Sequence, residues 1–268
     1  MIPKIIDTDK TISKGGRAYQ DNKSSAFKPK YSKLNKADKV INPKEVLKKY
    51  NIRGFEFGNY VSNNNRYDYL IAITKSLENL SRILKSKNIG MDNMLGIAFG
   101  ARGMGGKATA HYEPYFKIIN LTRDSGNTAF AHEFGHSLDY IFGTYIDQNK
   151  KYSALSGGGS VAIRLADNKG GKIRQYANEI IDKYKTYRKT NPIMFESEYY
   201  QRRNEIFARM FEQYIALRKK ELGIKDNFIS LSYESYIKAK HYMPDKEFQK
   251  LRPLFYKLIN EFSKKMNS

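Results

Sequence analysis

The sequence contains no cysteine and no tryptophan, and only four histidines among 268 residues. Without cysteine, disulfides and thiolate-ligated metals are excluded, so any metal centre must be built from His, Asp and Glu. Acidic residues are also scarce. The 27 Asp and Glu against 48 Lys and Arg leave a formal charge of +21. No apolar run approaches the roughly 20 residues of a membrane span. The opening "MIPKIIDTDK" lacks the apolar core of a signal peptide. A cytoplasmic protein without membrane contact is the expectation. The charge excess points to anionic partners, such as DNA or acidic proteins. Because the lysines are spread along the chain rather than massed in one block, a Lys-rich composition explains them equally well.

Hydrophobic residues make up 40% and aromatics 13%, all of them Tyr and Phe, enough for a packed interior. Residues 1–40 are Lys-, Ser- and Asn-rich and cannot bury enough apolar surface to offset the entropy of ordering. They read as an extended basic arm. A globular domain is expected over residues 41–225 and a helical tail over 226–268. "PKEVLKKY" reads as a short helix with Pro43 in its first turn. Leu70, Ile73, Leu77, Leu80 and Leu84 recur at helical spacing, with Gly90 stopping the run. "MLGIAFGA" reads as a buried strand, and "ATAHYEPYFKIINLT" as two strands around Glu113-Pro114. "IRQYANEIIDKYKTYRK" and "EYYQRRNEIFARMFEQYIALRKKELG" read as two amphipathic helices, the second with Ile206, Met210, Tyr214 and Leu217 on its buried stripe.

The stretch "TAFAHEFGHSLDY" carries the chemistry. On a helix, His132 and His136 lie about 40° apart and can point both imidazoles at one ion. Glu133 sits one step round, beside that ion. Two neutral imidazoles suit Zn²⁺, which takes a third protein ligand and leaves a fourth position to water. The ion acidifies that water, and a neighbouring carboxylate takes its proton. Only Asp, Glu or a distant His can complete the site. Glu205, in "NEIFARMFE", is the first candidate, because a carboxylate on a core-rich helix needs a partner. Glu212, two turns on, is its rival, and an ion pair of Glu205 with Arg202 or Arg209 is the structural alternative. Asp139 shares the histidine face and can take a ligand's second N–H. His111 is read as a catalytic group stabilising an oxyanion, with Tyr199, Tyr200 and Tyr214 as other donors. "GARGMGGKATA" fails the phosphate-loop register and reads as a flexible loop presenting Arg102.

The blocks "RGFEFGNYV", "LGIAFGARGMGGKATAHYEP", "KIINLTR", "FAHEFGHSLD" and "NEIFARMFEQYI" occur in this order. Together they resemble the first of the large polyvalent-protein-associated domains, a zincin-like metallopeptidase family of phages and conjugative elements. The resemblance spans roughly residues 45 to 218 and does not explain the basic arm or the helical tail. It implies His132, His136 and Glu205 as zinc ligands and Glu133 as catalytic base. The expected fold is α+β and zincin-like: a small mixed sheet, an active-site helix and a helical subdomain after it. "FKIINLT" would form the sheet edge, where an extended peptide can pair. The expected function is a gluzincin-type zinc peptidase acting on a peptide or protein in the bacterial host cytoplasm. The alternatives are a non-catalytic, virion-associated phage protein and a DNA-associated protein using its positive charge.

Overall fold

The computed structural model describes residues 41–58, 61, 63–101, 110–121, 128–147, 154–165 and 171–268. The basic arm and Arg102 lie outside them. The chain divides into two compact units, Met1–Phe130 with Ile224–Ser230, and Ala131–Gly223 with Leu231–Ser268.

The first unit is α1 (Pro43–Tyr50), β1 (Gly54–Phe57), α2 (Asn63–Leu84), β2 (Gly96–Phe99), β3 (Ala110–Glu113) and β4 (Ile118–Leu121). The Asn42 side chain caps α1 by accepting from Lys44 N, and Pro43 occupies the first turn. The strands form one four-stranded sheet ordered β1-β2-β4-β3. β1 and β4 run parallel to β2, and β3 runs antiparallel to β4. The aromatic rings of Phe57, Tyr69 and Phe99 pack within 5.2 Å centroid to centroid, tying α2 to the sheet. The Ile224–Ser230 segment joins this unit through Asp226, which accepts from Ser76 Oγ and Asn79 Nδ2, each at 2.9 Å.

Two readings are corrected here. β4, the "IINL" strand, is not an edge: β2 pairs one side and β3 the other. The turn over Pro114–Lys117 folds β3 back onto it, so β4 has no free side for a peptide. The α2 run ends at Leu84, where Lys85 turns left-handed at φ 57°, rather than at Gly90. Gly90 instead permits a close backbone approach, since a Cβ there would stand 1.8 Å from Asn51 O.

The second unit is helical: α3 (Phe130–Asp147), α4 (Gly171–Thr190), α5 (Glu198–Gln201), α6 (Arg203–Glu221), α7 (Tyr233–Ile237), α8 (Asp245–Phe248) and α9 (Arg252–Met266). The long helix expected from Glu198 onward is broken at Arg202, which is extended at ψ 139°. Arg203 then buries its guanidinium on Ser156 O and Asn178 Oδ1. α6 is also buried on nearly every side, not along one stripe: Glu205, Arg209, Glu212, Gln213 and Lys219 are buried beside its apolar residues. Tyr214 stacks on Phe255 of α9 at 4.7 Å, and Phe134 of α3 meets Phe211. The chain as a whole is mixed α+β with a small mixed sheet and a large helical part, as the order of elements implied. Among the described residues no helix is long and apolar enough to cross a membrane.

Candidate metal centre

α3 carries His132, Glu133 and His136 on its first two turns, and α6 carries Glu205 on its first. Gly135 lets the two helices approach: a Cβ there would lie 3.1 Å from Ala208 Cα and 3.2 Å from the Phe211 ring. That contact is three residues beyond Glu205, so it brings the carboxylate up to the imidazoles. His132 Nε2 lies 3.5 Å from Glu205 Oε2, and His136 Nε2 lies 3.3 Å from Glu205 Oε1. The imidazole rings stand edge to face at 4.9 Å. One ligand atom from each residue falls within 4.8 Å of the others, so the three can hold a metal ion.

Two observations show that the residues fit such an ion. Ligand atoms around a tetrahedral centre with bonds of 2.0–2.1 Å are separated by about 3.3 Å, close to the two measured distances. Glu205 Oε2 is also buried without any hydrogen-bond partner, a costly arrangement that a cation would relieve. The Arg209 guanidinium approaches the same oxygen only to 4.0 Å. The anticipated ion pair thus exists beside the imidazole contacts and does not replace them.

The electrostatics follow from burial and charge. Burial disfavours the charged form of Glu205, but contacts from His132 and His136 outweigh it and hold the carboxyl below the usual carboxylate range. His132 is affected in the opposite sense. Burial would lower it, yet the carboxylates of Glu205, Glu212 and Glu133 raise it above its ordinary value. Glu205 is therefore ionised, and a cation that binds must displace the proton that the surrounding carboxylates favour on His132. Glu133 is buried on the same helix, and its charge reaches both His132 and Tyr199.

Of the three tyrosines considered as donors, only Tyr199 reaches this group. Burial, then the charge and hydrogen bond of Glu205, push its phenol well up, so it stays protonated and able to donate. Tyr200 instead stacks on His241 at 3.8 Å, and Tyr214 belongs to the α6–α9 core. Tyr200 and Ile206, each one residue from Tyr199 and Glu205, line a cavity of about 330 Å³ whose rim carries Lys185 and Arg188. His111 belongs to the first unit, on β3, with its Nε2 3.4 Å from Glu113 Oε1.

Neither Asp139 nor Glu212 makes the contact expected of it. Asp139 accepts from Ser156 N at 2.8 Å and Ser156 Oγ at 2.6 Å, anchoring a loop rather than a histidine. Glu212, the rival third ligand, instead faces the far nitrogen of His132, with Oε2 3.2 Å from Nδ1. No local spacing in the sequence connects its other partners, Tyr236 and Tyr242, to position 212.

Asp139 makes a testable electrostatic element. Burial raises its carboxyl from 3.8 to about 6, although the Ser156 hydrogen bonds pull the other way. A raised folded-state value means its stabilising contribution is intact below about pH 4 and is lost as pH rises to about 6. The loss is about 3 kcal/mol at 1.36 kcal/mol per pH unit. Asp139→Asn should therefore gain stability relative to wild type by about that amount over this window, measured by denaturant unfolding at several pH values. A difference independent of pH would contradict the assignment.

Residues 195–266 match the model of the family described as Large polyvalent protein-associated domain 1. The matched segment contains Glu205 and Glu212 and continues through the C-terminal helices. The tail that the resemblance left unexplained therefore lies inside the match, while of the blocks that carried the resemblance only "NEIFARMFEQYI" does. No curated protein and no solved structure matches the chain.

Proposed function

We propose that the chain is a zinc-dependent peptidase in which His132, His136 and Glu205 hold the metal and Glu133 is the catalytic base. The observation that carries this reading is the convergence of two Nε2 atoms on a buried carboxylate whose Oε2 has no hydrogen-bond partner. Two imidazoles and one carboxylate are a donor set suited to zinc that leaves a fourth position free. Bound there, the ion supplies Lewis acidity and lowers the pKa of its water towards about 7. Glu133 would take the proton from that water as the water oxygen adds to the scissile carbonyl carbon, and would return it to the amine nitrogen as the C–N bond breaks. The neutral Tyr199 hydroxyl donates to the oxygen on which charge develops. The cavity beside Tyr200 and Ile206 offers room for a substrate side chain. The reading is tested by incubating zinc-loaded protein with a mixed peptide library and identifying new termini by mass spectrometry. Specific cleavage that a chelator removes and added zinc restores is expected, and no cleavage by a fully loaded protein would contradict it.

The +21 charge favours a second property, association with DNA while acting on protein. Phosphate contacts by lysines make binding fall steeply with salt. A filter-binding series from low to physiological salt is expected to show that slope. Weak, salt-insensitive binding would assign the lysines to composition alone.

A further inference from the structure

We propose that Glu212, clamped by the hydroxyls of Tyr236 and Tyr242, is a positioning residue that orients His132 towards the metal, making the C-terminal segment part of the site. The proposal rests on the metal-centre reading above. His132 faces a carboxylate at each ring nitrogen, from residues two turns apart on α6: Nδ1 is hydrogen-bonded to Glu212 Oε2 at 3.2 Å, and Nε2 lies 3.5 Å from Glu205 Oε2. An imidazole donating from Nδ1 keeps its Nε2 lone pair for a cation. Glu212 thus fixes the nitrogen that coordinates, without touching the ion itself.

The carboxylate is itself fixed. Tyr236 donates to its Oε1 and Tyr242 to its Oε2, both at 2.6 Å. With the imidazole N–H, these donors occupy three of its lone-pair positions. Such saturation is what a buried carboxylate requires, and Glu212 is 5% exposed. The tyrosines are held in turn. Tyr236 is buried and its hydroxyl accepts from Leu231 N at 3.1 Å, while its ring packs on Tyr242 at 4.7 Å. Both come from the stretch following Ser230, remote in sequence from α3. The imidazole is therefore aimed before any ion arrives, which spares the ordering cost on binding.

The test uses the full chain with Zn²⁺ as the probe, competed against a chromophoric chelator. Glu212→Gln and the double variant Tyr236→Phe with Tyr242→Phe are compared with wild type after circular dichroism confirms folding. Loss of such an orienting partner typically costs about 10–100-fold in metal affinity, and weakening in this range is expected for Glu212→Gln, with a smaller loss in the tyrosine pair. Should Glu212→Gln not fold, the tyrosine pair gives the reading. Unchanged zinc affinity in the folded variants would overturn the proposal. A second readout needs no metal. In the metal-free protein, imidazole nitrogen-proton NMR should show a slowly exchanging, downfield His132 Nδ1–H that moves upfield in Glu212→Gln. If wild type binds no zinc, the metal reading fails alone and this signal decides the contact: present and Glu212-dependent supports it, absent refutes it.

Discussion

Glu133→Gln is expected to lose peptide hydrolysis by about 10²–10⁴-fold, the range that a positioned general base contributes, while still taking up metal. The two halves follow from geometry. Glu133 precedes Phe134 on the helix turn that carries His132 and His136, so it lies beside the ligands without belonging to the three-residue group. Glutamine preserves its size and much of its hydrogen bonding but cannot accept a proton as a base. Cleavage rates measured on variant and wild type at equal zinc content separate the two functions. A Glu133→Gln protein that cleaves at the wild-type rate would assign the water's proton to another group.

Glu205→Ala is expected to weaken metal binding by more than the 10–100-fold typical of losing a supporting partner. Three effects act together. The substitution deletes a ligand atom, and it removes the negative charge that stands 3.3 and 3.5 Å from the two imidazoles. It also frees the Arg209 guanidinium, now 4.0 Å from Glu205 Oε2, from its counter-charge on α6. A cation entering the site would then meet an uncompensated positive charge. Competition with a chelator measures the loss, and affinity within a few-fold of wild type would mean that Glu205 is not a ligand.

What could be read from the sequence is the part that local spacing encodes. His132 and His136 are four apart, so helix geometry alone places them together. Glu205 was legible because a carboxylate among "IFARMF" on a core helix asks for a partner. The apolar runs likewise marked β2, β3 and β4. What escaped depends on contacts between distant residues. Glu212 lies 80 residues from His132, and its two tyrosines come from the tail, so nothing local points to that contact. Asp139 shares the histidine face, yet Ser156, 17 residues on, captures it. α6 reads as amphipathic because its charges have the pattern of a solvated face. They are buried because α4, α7 and α9 pack around the helix. β4 reads as an edge in the sequence because strand order across a parallel crossover is not a local property.

The most direct measurement is elemental analysis of the purified protein after exposure to zinc and removal of loosely bound metal, beside His136→Ala and Glu205→Ala. About one zinc per wild-type chain is predicted from the His132, His136 and Glu205 group, the one such group among the described residues, with both variants depleted. No retained metal in the wild type under these conditions would contradict the account.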